Sequence, residues 1–247
     1  MALAIRASLG DSAWQTSSSV TTKTGTFTMP NLLSTDLVIL EIAYYANQVG
    51  ADFLYVSSGP TTTGQTWTAI ASGVDTGYTK KAIATYYMRP STSLTAPTVS
   101  TTVTNYYGNV SPTMGISFGG WIITGFDATT PIGSTVSPAG QQTTNNLTVG
   151  ALSGNEWKPK RKNSWMYVAG YDATGLAPAA STDLTVRTRT NTTGVISGYK
   201  AVKNPYSPIT TANIDANGAG AAQWQYCIFE VQDSDKFAYQ SAGQLNF

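Results

Sequence analysis

Ser164-Trp165-Met166-Tyr167-Val168-Ala169-Gly170-Tyr171 is the stretch on which the reading of this chain turns. Side chains of an extended strand alternate between its two faces. Trp165, Tyr167 and Tyr171 therefore line one face, and Met166 and Val168 the other. Both faces are apolar, whereas a sheet with one wet face alternates apolar with polar. Such a strand is either central and covered twice, or its outer face meets another subunit. Tyr suits the second case, because its ring buries area while its hydroxyl stays hydrogen-bonded. The doublets Tyr44-Tyr45, Tyr86-Tyr87 and Tyr106-Tyr107 repeat the pattern, one ring to each side.

Period-2 patterning recurs along the chain and helical patterning does not. It predicts strands over 25–29, 36–45, 53–56, 66–71, 81–88, 98–104, 115–126, 146–152, 164–171, 183–190 and 223–231. Between them lie turn formers: Ser57-Ser58-Gly59-Pro60, Asp75-Thr76-Gly77, Asp127-Ala128-Thr129-Thr130-Pro131 and Asp172-Ala173-Thr174-Gly175. Gly frees the backbone, Pro fixes φ, and Asp caps its own turn. Many short strands at this spacing make an all-β, antiparallel β-sandwich of jelly-roll-like character. The expected layout is one sandwich domain over 1–231 with irregular connections at 128–145 and 203–222. A tail over 232–247 follows, and its spaced Phe237, Tyr239, Leu245 and Phe247 are expected to dock it on its own domain or on a neighbour.

Composition narrows the chemistry. The 247 residues include no His, one Cys and only 11% charged residues, with a net charge of +1. Thr and Ser, about a quarter of the chain, take over as solubilising groups. With no His and one Cys, the routes through imidazole, an activated thiolate or a Cys/His metal site are closed or nearly so. Cys227, within Gln225-Tyr226-Cys227-Ile228-Phe229, reads as a buried small hydrophobe. The near-neutral balance gives no global field for nucleic acid or an anionic membrane. No Walker loop, dinucleotide fingerprint or acidic calcium loop is present, so no cofactor is expected. The N-terminal Met1-Ala2-Leu3-Ala4-Ile5-Arg6-Ala7 lacks the regions of a signal peptide, and no apolar run is long enough to span a bilayer as a helix.

Four features carry what chemistry remains. Glu41 and Glu230 sit inside apolar strands, where a carboxyl suits an acid catalyst of glycoside hydrolysis or, equally, an edge gatekeeper or a paired residue. An enzymatic role is not expected from them. Lys158-Pro159-Lys160-Arg161-Lys162, the one charge run, reads as a solvated loop or an inter-subunit salt contact. Arg187 and Arg189 project from one strand face, to grip an acidic patch or to sit in solvent. Among the Trp residues, Trp67, Trp121 and Trp224 fall in apolar strands and read as core. Trp14 and Trp157 fall in polar stretches and are the candidates for an interface or a sugar-stacking platform. With Trp165, Tyr167, Tyr171 and the four tail anchors they make up the expected interface set.

The order of motifs carries a resemblance. Met29-Pro30-Asn31-Leu32-Leu33-Ser34-Thr35-Asp36-Leu37-Val38-Ile39-Leu40 is followed by Gly64-Gln65-Thr66-Trp67-Thr68-Ala69-Ile70-Ala71 and Ala82-Ile83-Ala84-Thr85-Tyr86-Tyr87-Met88. Trp121-Ile122-Ile123-Thr124-Gly125-Phe126-Asp127 then leads to Thr130-Pro131-Ile132-Gly133. Over about residues 5–175 this resembles a family of β-sandwich domains of tailed-phage virion proteins, including minor tail and surface proteins. One departure is that Gly precedes Phe126-Asp127 where the family has it after Phe. The resemblance implies a virion structural protein, without favouring a position on the particle. With no signal peptide, synthesis in the host cytoplasm is expected, and a lone domain without the coiled-coil or repeat shaft of a fibre puts a capsid decoration or cement role on the particle exterior ahead of a tail or fibre one. The resemblance also implies other virion proteins and further copies of this chain as partners, and no catalytic residues. The alternative is a tail- or fibre-associated protein binding host surface glycan.

Overall fold

The computed structural model describes residues 2–47, 54–72, 81–105, 112–144, 148–149, 157, 159–172, 184–188, 194–202, 212–213 and 222–234. These form strands and turns only, all strand pairings antiparallel. The central sheet has the order β1 (Ala4–Ser8), β9 (Thr113–Thr124), β4 (Leu37–Asn47), β7 (Lys81–Met88), β6 (Trp67–Ser72), with β2 (Gln15–Ser17) also on β9. A second sheet runs β10 (Ile132–Thr144), β16 (Ala222–Val231), β12 (Trp165–Asp172), β14 (Val195–Ala201), β13 (Thr185–Thr188). A third is β3 (Thr22–Thr28), β8 (Thr98–Asn105), β5 (Leu54–Thr61), and β11 (Thr148–Val149) pairs with β15 (Ala212–Asn213).

The all-β sandwich expectation holds, with a third layer added. On β4, Val38, Leu40, Ile42 and Tyr44 face one core, which Leu54, Val99 and Val103 of the third sheet complete. Leu37, Ile39 and Ala43 face a second core, closed by Trp165, Tyr167, Cys227, Phe229 and Val231 of the second sheet. The central sheet is thus covered twice, which is why its strands are apolar on both faces. Tyr44 and Tyr86 enter the first core, while Tyr87 packs against the second and Tyr45 meets Trp14 on that side. Tyr106 and Tyr107 lie outside the described residues.

Two glycines set the spacing of these layers. A Cβ on Gly25 of β3 would lie 2.4 Å from Ile116 Cγ2, so the third sheet approaches the central one only because Gly stands there. At Gly120, φ is +139° and a Cβ would sit 2.0 Å from the Ile39 carbonyl oxygen.

Two stretches read as irregular or turn are strand. The expected connection over 128–145 contains β10, which follows β16 with register shifts between Ile132 and Thr135 and between Val136 and Gly140. Pro138 falls inside the second shift, where no ladder hydrogen bond is required of it. The expected turn at Ser57-Ser58-Gly59-Pro60 lies within β5, an edge strand whose register slips at Ser58 and again before Thr61. Bulges let Gly and Pro stay in a strand at the sheet edge. The strands β1, β2, β14 and β15 have no counterpart in the sequence prediction.

Candidate functional site

Backbone bonds join the central and second sheets at one end of the stack. The Asp127 N–H donates to the Gln232 carbonyl at 2.8 Å and Ser234 N–H to Gly125 at 2.9 Å, while Gln232 N–H donates to Pro131 at 2.8 Å and extends the β10–β16 pairing. Asp127 caps its own turn, as the sequence predicts, with Oδ1 accepting from Thr129 N–H at 2.6 Å and Thr130 N–H at 3.2 Å. Its Oδ2 pairs with the Arg161 guanidinium, which also donates to Thr130 Oγ1 at 3.0 Å and to the Asp233 carbonyl at 3.3 Å. Burial raises the Asp127 carboxyl, but the Arg161 hydrogen bond, the two turn N–H groups and the Arg161 charge outweigh it and hold the pKa at about 2.

Glu230 completes this joint. Its Oε1 accepts the consecutive N–H groups of Lys160 and Arg161, both at 2.9 Å, and its Oε2 accepts Ser134 N–H at 3.1 Å. The side chain has no exposed surface. A carboxylate that binds backbone donors from two loops acts as a clip, here fastening the 159–164 loop to β16 and β10.

Glu41 is buried on the central sheet and accepts the Tyr167 hydroxyl across the second core. Cys227, Phe229 and Val231 of β16 face that same core, so by alternation Glu230 lies on the opposite face of the second sheet. The two carboxyls are separated by a sheet and do not flank a common space, which a pair acting on one glycosidic bond must do. Cys227 is buried, its thiol donating to the carbonyls of Ala71 and Ile83 at 3.7 Å. Burial, with Cys227 adding to it, pushes Tyr226 up to about 12. Among the described residues no three His, Cys, Asp or Glu side chains gather as metal ligands.

The expected interface set separates into three groups. Trp165, Tyr167 and Tyr171 are enclosed in the second core, and Met166, Val168 and Ile228 on the other face of that sheet are buried as well. Neither face of β12 is therefore open to another subunit, and these three residues are corrected to internal packing. Trp165 stacks on Tyr199 at 4.1 Å, Tyr167 on Phe229 at 4.7 Å. Trp157 is also corrected, being 2% exposed with its Nε1–H donating to the Ser134 carbonyl at 3.4 Å. Trp14 remains half-buried, edge-on to Tyr45 at 4.8 Å and tilted on Tyr171 at 5.7 Å. Phe237, Tyr239, Leu245 and Phe247, with Arg189 and the Arg187 and Trp224 side chains, lie outside what is described.

Two exposed residues escaped the sequence reading. Tyr55 and Leu33 are the large hydrophobics most open to solvent among the described residues, 39% and 45% exposed. Tyr55 stands opposite Thr104 on the outer face of the third sheet. That face is a neutral field of hydroxyls from Thr22, Thr24, Ser57, Thr102 and Thr104, with Thr24 bonded to Thr102 at 2.8 Å and Thr104 to Ser57 at 2.6 Å. The alternation of Tyr55 with Leu54 and Val56 was the available signal.

No family model, no curated protein and no solved structure matches this chain.

Proposed function

We propose that this chain is a structural protein of a tailed-phage virion exterior, a capsid decoration or cement protein that assembles with shell subunits and with further copies of itself. The observation carrying this reading is the use made of its acidic groups. Asp36, Glu41, Asp127, Glu230 and Asp233 are all buried, and Asp36, Glu41, Asp127 and Glu230 make hydrogen bonds that fix turns, loops or sheets to one another. These described carboxylates serve rigidity, and the resemblance over 5–175 supplies the kind of assembly in which a rigid β part serves. The test is quantitative mass spectrometry of purified virions against the major shell protein. The expected ratio is one copy per shell subunit or a simple fraction of it. Absence from the virion refutes the reading, and a small copy number moves the chain to the tail or a vertex.

The alternative, a tail- or fibre-associated protein binding host glycan, is favoured by one feature: Tyr55 beside the hydroxyl field of the third sheet. An exposed ring amid neutral hydrogen-bonding groups is the arrangement that stacks and orients a sugar. Under this reading Tyr55→Ala abolishes adsorption to cells while assembly is unchanged. Retained adsorption rejects it.

A further inference from the structure

Every residue of β3, β8 and β5 is described, and the outer face that these strands build carries no charge. Alternation sends Thr22, Thr24, Thr102, Thr104, Tyr55 and Ser57 outward at one end of it. Lys23 is the one charged residue of the three strands. It points to the opposite face, where its ammonium donates to Ser17 Oγ at 3.1 Å.

The protons of these hydroxyls can be traced, because each hydroxyl has one proton to give and two lone pairs to receive with. Ser57 Oγ lies 3.3 Å from the Thr102 carbonyl, which only accepts, so the Ser57 proton is directed there. Thr104 Oγ1, 2.6 Å from Ser57 Oγ, is then the donor of that bond. The Thr24–Thr102 hydroxyl pair, at 2.8 Å, uses one of its two protons whichever residue gives it. Three of the four hydroxyl protons are therefore held inside the network, while every oxygen in it keeps a lone pair. Tyr55, its ring 39% exposed, stands opposite Thr104 at the side of this network. The result is an uncharged surface, ordered before any ligand arrives, that receives hydrogen bonds more than it gives them.

Charge, proton balance and area together select the occupant. An uncharged face gives a charged polymer nothing to pair with. A peptide backbone brings as many carbonyl acceptors as N–H donors, and its carbonyls would find one free proton in the network. Sugar hydroxyls rotate, so each can give its proton and leave its own oxygen to water, and the apolar side of a sugar ring covers a tyrosine ring. Three strands about 4.8 Å apart and seven residues of about 3.4 Å give the whole face roughly 340 Å². That is under half of the roughly 800 Å² a side that a stable protein–protein interface takes, so a second copy is not held by this face alone.

We infer that this patch binds a short, neutral oligosaccharide, laid across β8 with one ring on Tyr55 and its hydroxyls donating to Thr104, Ser57 and Thr24. The inference rests on the glycan-binding alternative above for its location. It adds the class of sugar, an uncharged one recognised through the protons it donates, and it holds whether or not the chain resides in a particle.

The test presents the full chain with neutral hexasaccharides of glucose, mannose, galactose and N-acetylglucosamine, with polygalacturonate as the anionic comparison. Binding is read by saturation-transfer NMR and titration calorimetry in low and physiological salt. At least one neutral hexasaccharide is expected to bind, equally at both salt strengths. Tyr55→Ala is expected to bind it at least about tenfold more weakly. Thr104→Val, which keeps the shape and removes the accepting oxygen, is expected to weaken binding severalfold. Thr98→Val, at the far end of the same face, is expected to bind as the parent does, and melting curves confirm that all variants are folded. Four results overturn the inference: no neutral hexasaccharide binds the parent, Tyr55→Ala and Thr104→Val bind undiminished, polygalacturonate binds tighter than every neutral sugar, or sedimentation shows a dimer that Tyr55→Ala dissociates. The last assigns the face to a second copy. Cell adsorption of the same variants separates this inference from the reading it rests on. Adsorption lost without any sugar binding defeats the inference alone, and sugar binding that Tyr55→Ala removes without changing adsorption defeats the alternative alone.

Discussion

Protonating one carboxyl is expected to loosen the joint between the central and second sheets. Asp127 has a pKa of about 2 in the folded chain against an ordinary 3.8. A depressed carboxyl favours the folded state wherever it is ionised in both states, that is above pH 3.8. As pH falls the unfolded chain takes up its proton first, and the contribution declines until it vanishes below about 2. With each unit worth about 1.36 kcal/mol, the interval amounts to about 2 kcal/mol. The carboxyl is enclosed but Arg161 keeps 27% of its side chain in solvent, so screening makes about 2 kcal/mol an upper bound. Other acids titrate in the same range, and the informative quantity is therefore a difference. Asp127→Asn keeps an acceptor for Thr129 and Thr130 N–H but carries no charge for Arg161. Urea unfolding of parent and variant is measured at intervals from pH 6 down to the acid limit of reversible folding. The parent's advantage is expected to be constant near neutrality and to shrink by up to about 2 kcal/mol as pH falls through the window set by the two pKa values. Two curves that run parallel to the acid limit would refute the argument, since the Arg161 pair would then contribute nothing that depends on ionisation.

Two other perturbations probe the layers. Tyr167→Phe removes the hydroxyl that buried Glu41 accepts and is expected to cost about 2 kcal/mol, with Glu41→Gln partly relieving it in the double variant; strictly additive effects in thermal melts would mean the two groups are not coupled. Gly120→Ala places a methyl against the Ile39 carbonyl at a φ of +139° and is expected to cost about 3 kcal/mol or more by urea unfolding, and a neutral outcome would contradict the close approach of β4 and β9.

How far the sequence was legible depends on the range of the interaction concerned. Strands such as 36–45 and 81–88 announce themselves because alternate residues enter two cores, which leaves a nearly continuous apolar run. The observed β4 and β7 match them within two residues at each end. β10 was hidden because it sits at the edge of its sheet, where Gly, Pro and Gln cost little and two bulges absorb the mismatch. β14 was hidden because Val195, Ile196, Gly198 and Tyr199 make too short and mixed a run to count as periodic. The choice between double coverage and an external partner for the Trp165 strand was not readable at all. It depends on which segment lies over Met166 and Val168, and alternation within a strand carries no information about that. Trp157 illustrates the same limit, since its polar neighbours Asn155, Glu156 and Lys158 suggest exposure while a carbonyl on β10 takes its indole N–H.

The described carboxylates make the point most sharply. Asp and Glu are short enough to reach backbone N–H groups near their own stem, so a β fold full of turns and strand ends offers them internal partners. Asp36 finds Leu33, Asp127 finds Thr129 and Thr130, and Glu230 finds Lys160 and Arg161. Lys and Arg have only donors, and their long stems carry the charge back to solvent even when the base is fixed. Lys160 is the clearest case, because its backbone N–H feeds a buried carboxylate while its side chain is exposed. Among the described residues five carboxylates are drawn inward while Arg89, Lys160 and Lys162 stay exposed.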